Sequence, residues 1–96
     1  MSMMQDPVHP GEVLDELYLK PLDMSAIALA KRLHVPRTRI ERLVRCQTGI
    51  SADTALRLAR FFGTTPEYWL NMQRAWELAR ARRDLDVSDI EPLDAA

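Results

Sequence analysis

Apolar residues recur at helical spacing in five stretches of the chain, and no stretch alternates apolar with polar residues as a half-buried strand would. The first helix is expected from about Pro10 to Leu19, with Val13, Leu14, Leu17 and Tyr18 on one face. Pro10 suits a first helical turn, Glu12 suits the positive helix end, and Pro21 stops the run. Ser25 caps a second helix, in which Ile27, Ala30 and Leu33 recur with Leu29 beside them. The pattern breaks at His34 and Val35. Pro36 then opens a third helix whose inward stripe is Ile40, Leu43 and Val44. A loop follows at Thr48-Gly49-Ile50. Ser51 caps the fourth helix, Asp53 sits in its first turn, Ala55, Leu58, Ala59 and Phe62 face inward, and Gly63 ends it. Thr65-Pro66-Glu67 starts a fifth helix that runs to about Arg83. The expected fold is all-α with five helices.

The second and third helices carry a motif. Two short helices lie two or three residues apart, and the second begins at a proline and is rich in arginine, the outline of a helix-turn-helix. Ala30 is small where the two helices cross. Ile40 and Leu43 follow it at offsets that fit the motif, and Leu29, Leu33 and Val35 are apolar where such a unit faces its core. His34 stands where the turn usually has glycine, at a position of left-handed backbone.

The outer face of the third helix is Arg37, Thr38, Arg39, Glu41, Arg42 and Arg45. The early residues of a recognition helix enter the major groove. Arginine there can contact guanine O6 and N7 together, and threonine can meet a thymine methyl. Arg37, Thr38, Arg39 and Arg42 are therefore the candidate base contacts. Ser25, Lys31 and Arg45 are the candidate phosphate contacts, which orient a protein without reading sequence. Glu41 could accept from cytosine N4, but pairing with Arg37 or Arg45 on its own helix is the favoured expectation.

Charge sharpens this picture. The 96 residues carry a net charge of -1, but residues 25–83 hold twelve bases against four acids. Residues 1–24 hold five acids and one base, and residues 84–96 hold five acids and no base. A basic middle between acidic ends points to an anionic partner for the middle. The acidic tail from Asp84 is expected to be a disordered, solvated end, with a fold-back onto the basic face or a basic partner as the alternative.

Composition narrows the function classes. One cysteine, Cys46, excludes an internal disulfide and fits a reducing cytoplasm. No signal peptide is read at the N-terminus, and no apolar run approaches the roughly 20 residues of a membrane span. His9 and His34 have no cysteine or carboxylate pair at ligand spacing, so no metal is expected. Ser25, Ser51 and Thr65 read as helix caps rather than nucleophiles. No enzyme, cofactor or small-molecule substrate is implied.

The fifth helix carries Trp69, Met72, Trp76 and Ala79 along one stripe. At least one tryptophan is expected in the core. The stripe as a whole is the candidate dimer interface, since so small a domain has little room for both. Two-fold pairing also suits a helix-turn-helix, which reads two half-sites about 34 Å apart.

Four segments add a resemblance. His9-Pro10-Gly11-Glu12-Val13-Leu14, Leu19-Lys20-Pro21-Leu22, Gly49 through Leu58 (GISADTALRL) and Trp69-Leu70-Asn71-Met72-Gln73 closely resemble the HigA family of antitoxins, part of the Cro/C1-type (lambda repressor-like) helix-turn-helix group. The resemblance covers about residues 8–83, taken as one DNA-binding domain with a C-terminal dimerisation helix, and leaves residues 84–96 as the acidic tail. It implies a homodimer that binds a palindromic operator in double-stranded DNA and represses its own operon. It further implies neutralisation of a HigB toxin, a ribosome-dependent mRNA endonuclease of the RelE-like group. The family's DNA-reading positions fall on Arg37, Thr38, Arg39 and Arg42. A stand-alone regulator without a toxin, or a protein-interaction module with weak DNA binding, are the alternatives.

Overall fold

A computed structural model of the chain describes residues 6–94, and the described residues form five helices and no strand. They are α1 (Pro10–Val13), α2 (Ala26–Leu33), α3 (Arg37–Val44), α4 (Ala52–Phe62) and α5 (Pro66–Asp84), with α1 running directly into a π-helical segment, Leu14–Leu19. Hydroxyl caps start three of them. The Oγ of Ser25 accepts from Ala28 N–H, that of Ser51 from Thr54 N–H, and Thr65 Oγ1 from Tyr68 N–H.

The first helix starts differently. His9 caps it, its Nδ1 accepting from Gly11 N–H at 2.9 Å. Pro10 takes the first helical position. A Cβ on Gly11 would overlap the carbonyl of Leu43, so glycine is what lets α1 lie against the end of α3.

The π-helical segment corrects the expected face of this region. Lys20 N–H bonds the Asp15 carbonyl, five residues back. Spacing of five brings Leu14 and Leu19 together into the core, while Leu17 is turned out and 64% exposed. Pro21 does not end the run at once. The chain turns on to Asp23, at φ 51°, where Met24 N–H bonds the Leu19 carbonyl.

Left-handed residues close the next two helices as well. At the end of α2, His34 has φ 61°, Val35 N–H bonds the Ala30 carbonyl, and His34 N–H bonds that of Lys31. At the end of α3, Cys46 has φ 60°, with Gln47 N–H on Arg42 and its own N–H on Leu43. These are Schellman closures made without glycine. Gly63, at φ 73°, ends α4 as its position in the sequence predicts.

The α2–α3 pair forms the helix-turn-helix, α4 packs on α2 and α5, and α1 packs on α3 and α5. Leu14, Leu29, Ile40, Leu43, Leu58 and Trp69 are fully buried where these helices meet. The molecule measures 55 × 29 × 23 Å. Only Trp69 and Gln73 of α5 are fully buried, both in its first half.

Trp69 must be removed from the candidate dimer interface. It has no exposed surface, its indole N–H donates to Thr64 Oγ1 at 2.8 Å, and its ring lies among those of Tyr18, Phe62 and Tyr68. The α5 stripe faces its own domain first. Met72 packs against the core, half-buried, and Trp76 meets the edge of the His9 ring at 4.6 Å. Trp76 and Ala79 are only partly covered.

After Asp84, residues 85–94 are exposed and form no helix. A single turn joins Ile90 N–H to the Val87 carbonyl. The first five and last two residues, including part of the acidic tail, lie outside the described residues.

Candidate nucleic-acid interface

The third helix, α3, presents its polar face because its apolar face is consumed by the core. Ile40 and Leu43 have essentially no exposed surface, which turns Arg37, Thr38, Arg39 and Arg42 outward. Thr38, Arg39 and Arg42 share one shallow cleft of about 410 Å³ with Thr48 and Gly49 from the following loop, and Ser51 and Thr54 at the start of α4. Arg37 is exposed at the first position of α3 but does not line that cleft. Ser25, Lys31 and Arg45 are exposed and likewise lie off it.

Arg39 is held. Its Nη1 donates to Asp53 Oδ1 at 2.7 Å, across from α3 to α4. The same oxygen accepts from Arg57 Nε at 2.7 Å, and Arg57 Nη1 donates to the Leu33 carbonyl at 2.8 Å. The hydrogen bonds from Arg57, and next those from Arg39, hold the Asp53 carboxyl below the usual carboxylate range, so it stays ionised at neutral pH. Sequence reasoning placed Asp53 only as a first-turn acid and missed both arginine contacts. The spacing of Asp53 and Arg57 on one helix was the available signal.

Glu41 does not pair as expected. Among the described residues it makes no ion pair with Arg37 or Arg45. The thiol of Cys46 is held above its ordinary value, chiefly by burial and then by the charge of Glu12, which argues against an activated nucleophile. No group of three or more His, Cys, Asp or Glu residues converges to hold a metal among the described residues. No described helix is long and apolar enough to cross a membrane.

Two buried polar residues position this surface. Gln73 of α5 accepts from Ile50 N–H through Oε1 at 2.8 Å, fixing the loop between α3 and α4 from behind. His9 reaches the same loop by a hydrogen bond with the Thr48 backbone. Burial is the largest influence on the His9 ring and pushes its pKa below the ordinary value, partly opposed by the Thr48 bond and the Glu12 charge. Neither role was legible in sequence spacing, because each joins helices far apart in the chain.

Comparison with known proteins bears on what this surface meets. Residues 16–69 match the helix-turn-helix family model HTH_3. The chain is 58% identical over 77 residues to virulence-associated protein I of Dichelobacter nodosus, covering 80% of this chain and 71% of that protein. It is 35% identical over 89 residues to antitoxin HigA-1 of Vibrio cholerae serotype O1, covering 91% of this chain and 84% of that one. Among solved structures, it superposes with a TM-score of 0.81 and 41% identity on Pseudomonas aeruginosa antitoxin HigA with the higBA promoter, covering 91% of this chain and 98% of that chain.

Proposed function

The chain belongs to the HigA family of helix-turn-helix antitoxins, and from that premise we propose that it is a sequence-specific repressor that binds a palindromic operator as a two-fold dimer and neutralises a HigB-type, mRNA-cleaving toxin. The observation that carries the DNA half is the exposed cleft on which Thr38, Arg39 and Arg42 meet the loop and cap of α4. Arg37, Thr38, Arg39 and Arg42 reach base edges in the major groove, and Arg39 and Arg42 suit guanine O6 and N7. Ser25, Lys31 and Arg45 contact phosphates; the Ser25 hydroxyl can donate outward while its oxygen caps α2.

Dimerisation uses the part of α5 that its own domain leaves open: the uncovered edges of Met72, Trp76 and Ala79. Two copies then present α3 to successive major grooves about 34 Å apart. Toxin neutralisation rests on family membership. The role calls for no catalytic chemistry, metal or cofactor, and it belongs in the cytoplasm, where the operator and messenger RNA are.

The test is a gel-shift titration on DNA from immediately upstream of the coding sequence, against scrambled DNA, at two salt concentrations. Specific binding that survives about 150 mM salt is the expected result, since phosphate contacts alone weaken steeply there. Equal affinity for both DNAs refutes autoregulation. Co-expression with the product of the adjacent gene tests the toxin half: growth arrest by that product alone, relieved by this chain, is expected.

A further inference from the structure

We propose that Asp53 is a specificity-determining positioning residue, which buttresses Arg39 for one base pair in each half-site while Arg57 holds and neutralises the buttress. The inference rests on the DNA-reading role above and adds to it a residue that touches no base.

The geometry forms a relay across three helices. The Leu33 carbonyl at the end of α2 accepts from Arg57; Arg57 donates to Asp53 on the same helix, α4; and Asp53 accepts from Arg39 on α3. One carboxylate oxygen takes both guanidinium donors, each at 2.7 Å. Asp53 is thus fixed against the helix-turn-helix backbone, and it fixes Arg39 in turn.

Stability alone does not account for the arrangement. Arg39 and Asp53 side chains are 40% and 52% exposed, and exposed ion pairs add little to folding. What the pair does is select one arrangement of a long side chain that otherwise has many. Arg39 keeps donors beyond the one committed to Asp53, because guanidinium carries five N–H groups in a rigid fork. The free edge can bond guanine O6 and N7. By contrast, the side chains of Arg37 and Arg42 make no hydrogen bond or ion pair among the described residues, and are free to follow phosphate or base alike.

A carboxylate near DNA would ordinarily repel phosphates. Here two arginines flank it, so the cluster of Arg39, Asp53 and Arg57 is net positive. Asp53 can therefore sit at the interface without weakening approach.

The experiment selects binding sites from a pool of random-sequence duplexes, using the full chain, Arg39→Ala, Asp53→Ala, Asp53→Asn and the Arg39→Ala/Asp53→Ala double variant. Circular dichroism and a urea midpoint verify that each is folded. The expected result is that Asp53→Ala loses about 5- to 10-fold of discrimination at the base pair that Arg39→Ala loses, and keeps the rest. The double variant should be no worse than Arg39→Ala, and Asp53→Asn should fall between Asp53→Ala and the parent. Tighter binding with unaltered discrimination in Asp53→Ala would overturn the proposal, because the carboxylate would then only restrain Arg39 or repel the backbone. Loss spread evenly over all positions would overturn it too, as a purely structural effect. A parent chain that selects no sequence would remove the DNA-reading role itself, a result distinct from both.

Discussion

His9 ties the start of α1 to two other parts of the fold. Its spacing excluded a metal role and offered nothing else. In the fold its Nδ1 caps α1, its ring meets Trp76, and it bonds the Thr48 backbone. The cap requires an unprotonated Nδ1 facing the Gly11 N–H. Because burial lowers its folded pKa, the unfolded chain binds more protons once the pH falls below the unfolded value of about 6.5. Stability is therefore expected to drop as pH falls through that region and to level off below the folded pKa. Urea midpoints measured from pH 7.5 to 5 should show this slope. His9→Asn, which keeps a capping acceptor without a titrating ring, should flatten it. At the same scale, Asp23, His34 and Cys46 hold left-handed backbone without being glycine, so three helix ends carry local strain that their surroundings offset.

At the scale of elements, starts were more legible than faces. Ser25, Ser51 and Thr65 cap helices within three residues of themselves, so the signal lies wholly in local sequence. The face of the α1 region was misread because its hydrogen bonds skip five residues rather than four, which exchanges Leu17 for Leu19. Gln73 belongs to this scale as well, since it ties α5 to the loop ahead of α4. Replacing it by leucine strands the buried Ile50 N–H, at an expected cost of about 1–3 kcal/mol. Thermal unfolding should register that as a fall of about 4–8 °C per kcal/mol. An unchanged midpoint would mean that water or another acceptor satisfies the amide.

At the scale of the whole molecule, the α5 stripe gives Trp69 to the core, and the dimer proposed above would use what the core leaves open. Trp69 lies at the centre of the domain, and Trp69→Ala is expected to cost about 3–5 kcal/mol in urea unfolding. Ala79 lies further along, where α5 is only partly covered. Ala79→Glu is expected to leave the fold intact and to weaken dimerisation at least tenfold, read by sedimentation across a concentration series. A dimer indifferent to that charge would place the seam elsewhere.

What the sequence by itself determined was local or periodic: five helices, their hydroxyl caps, the glycine stop at Gly63, and the helix-turn-helix with its arginine-rich outer face. The left-handed turn at His34 was legible for the same reason, since it follows from the spacing of the motif. Only the tertiary structure decided the relations between residues distant in the chain. Asp53 meets Arg39 fourteen residues away, Gln73 meets Ile50 twenty-three away, and His9 meets Trp76. Periodicity tells which side of a helix turns inward, but not which other helix it meets. It therefore named Trp69 and Trp76 alike, and the packing of α5 against α4 and α1 separated them.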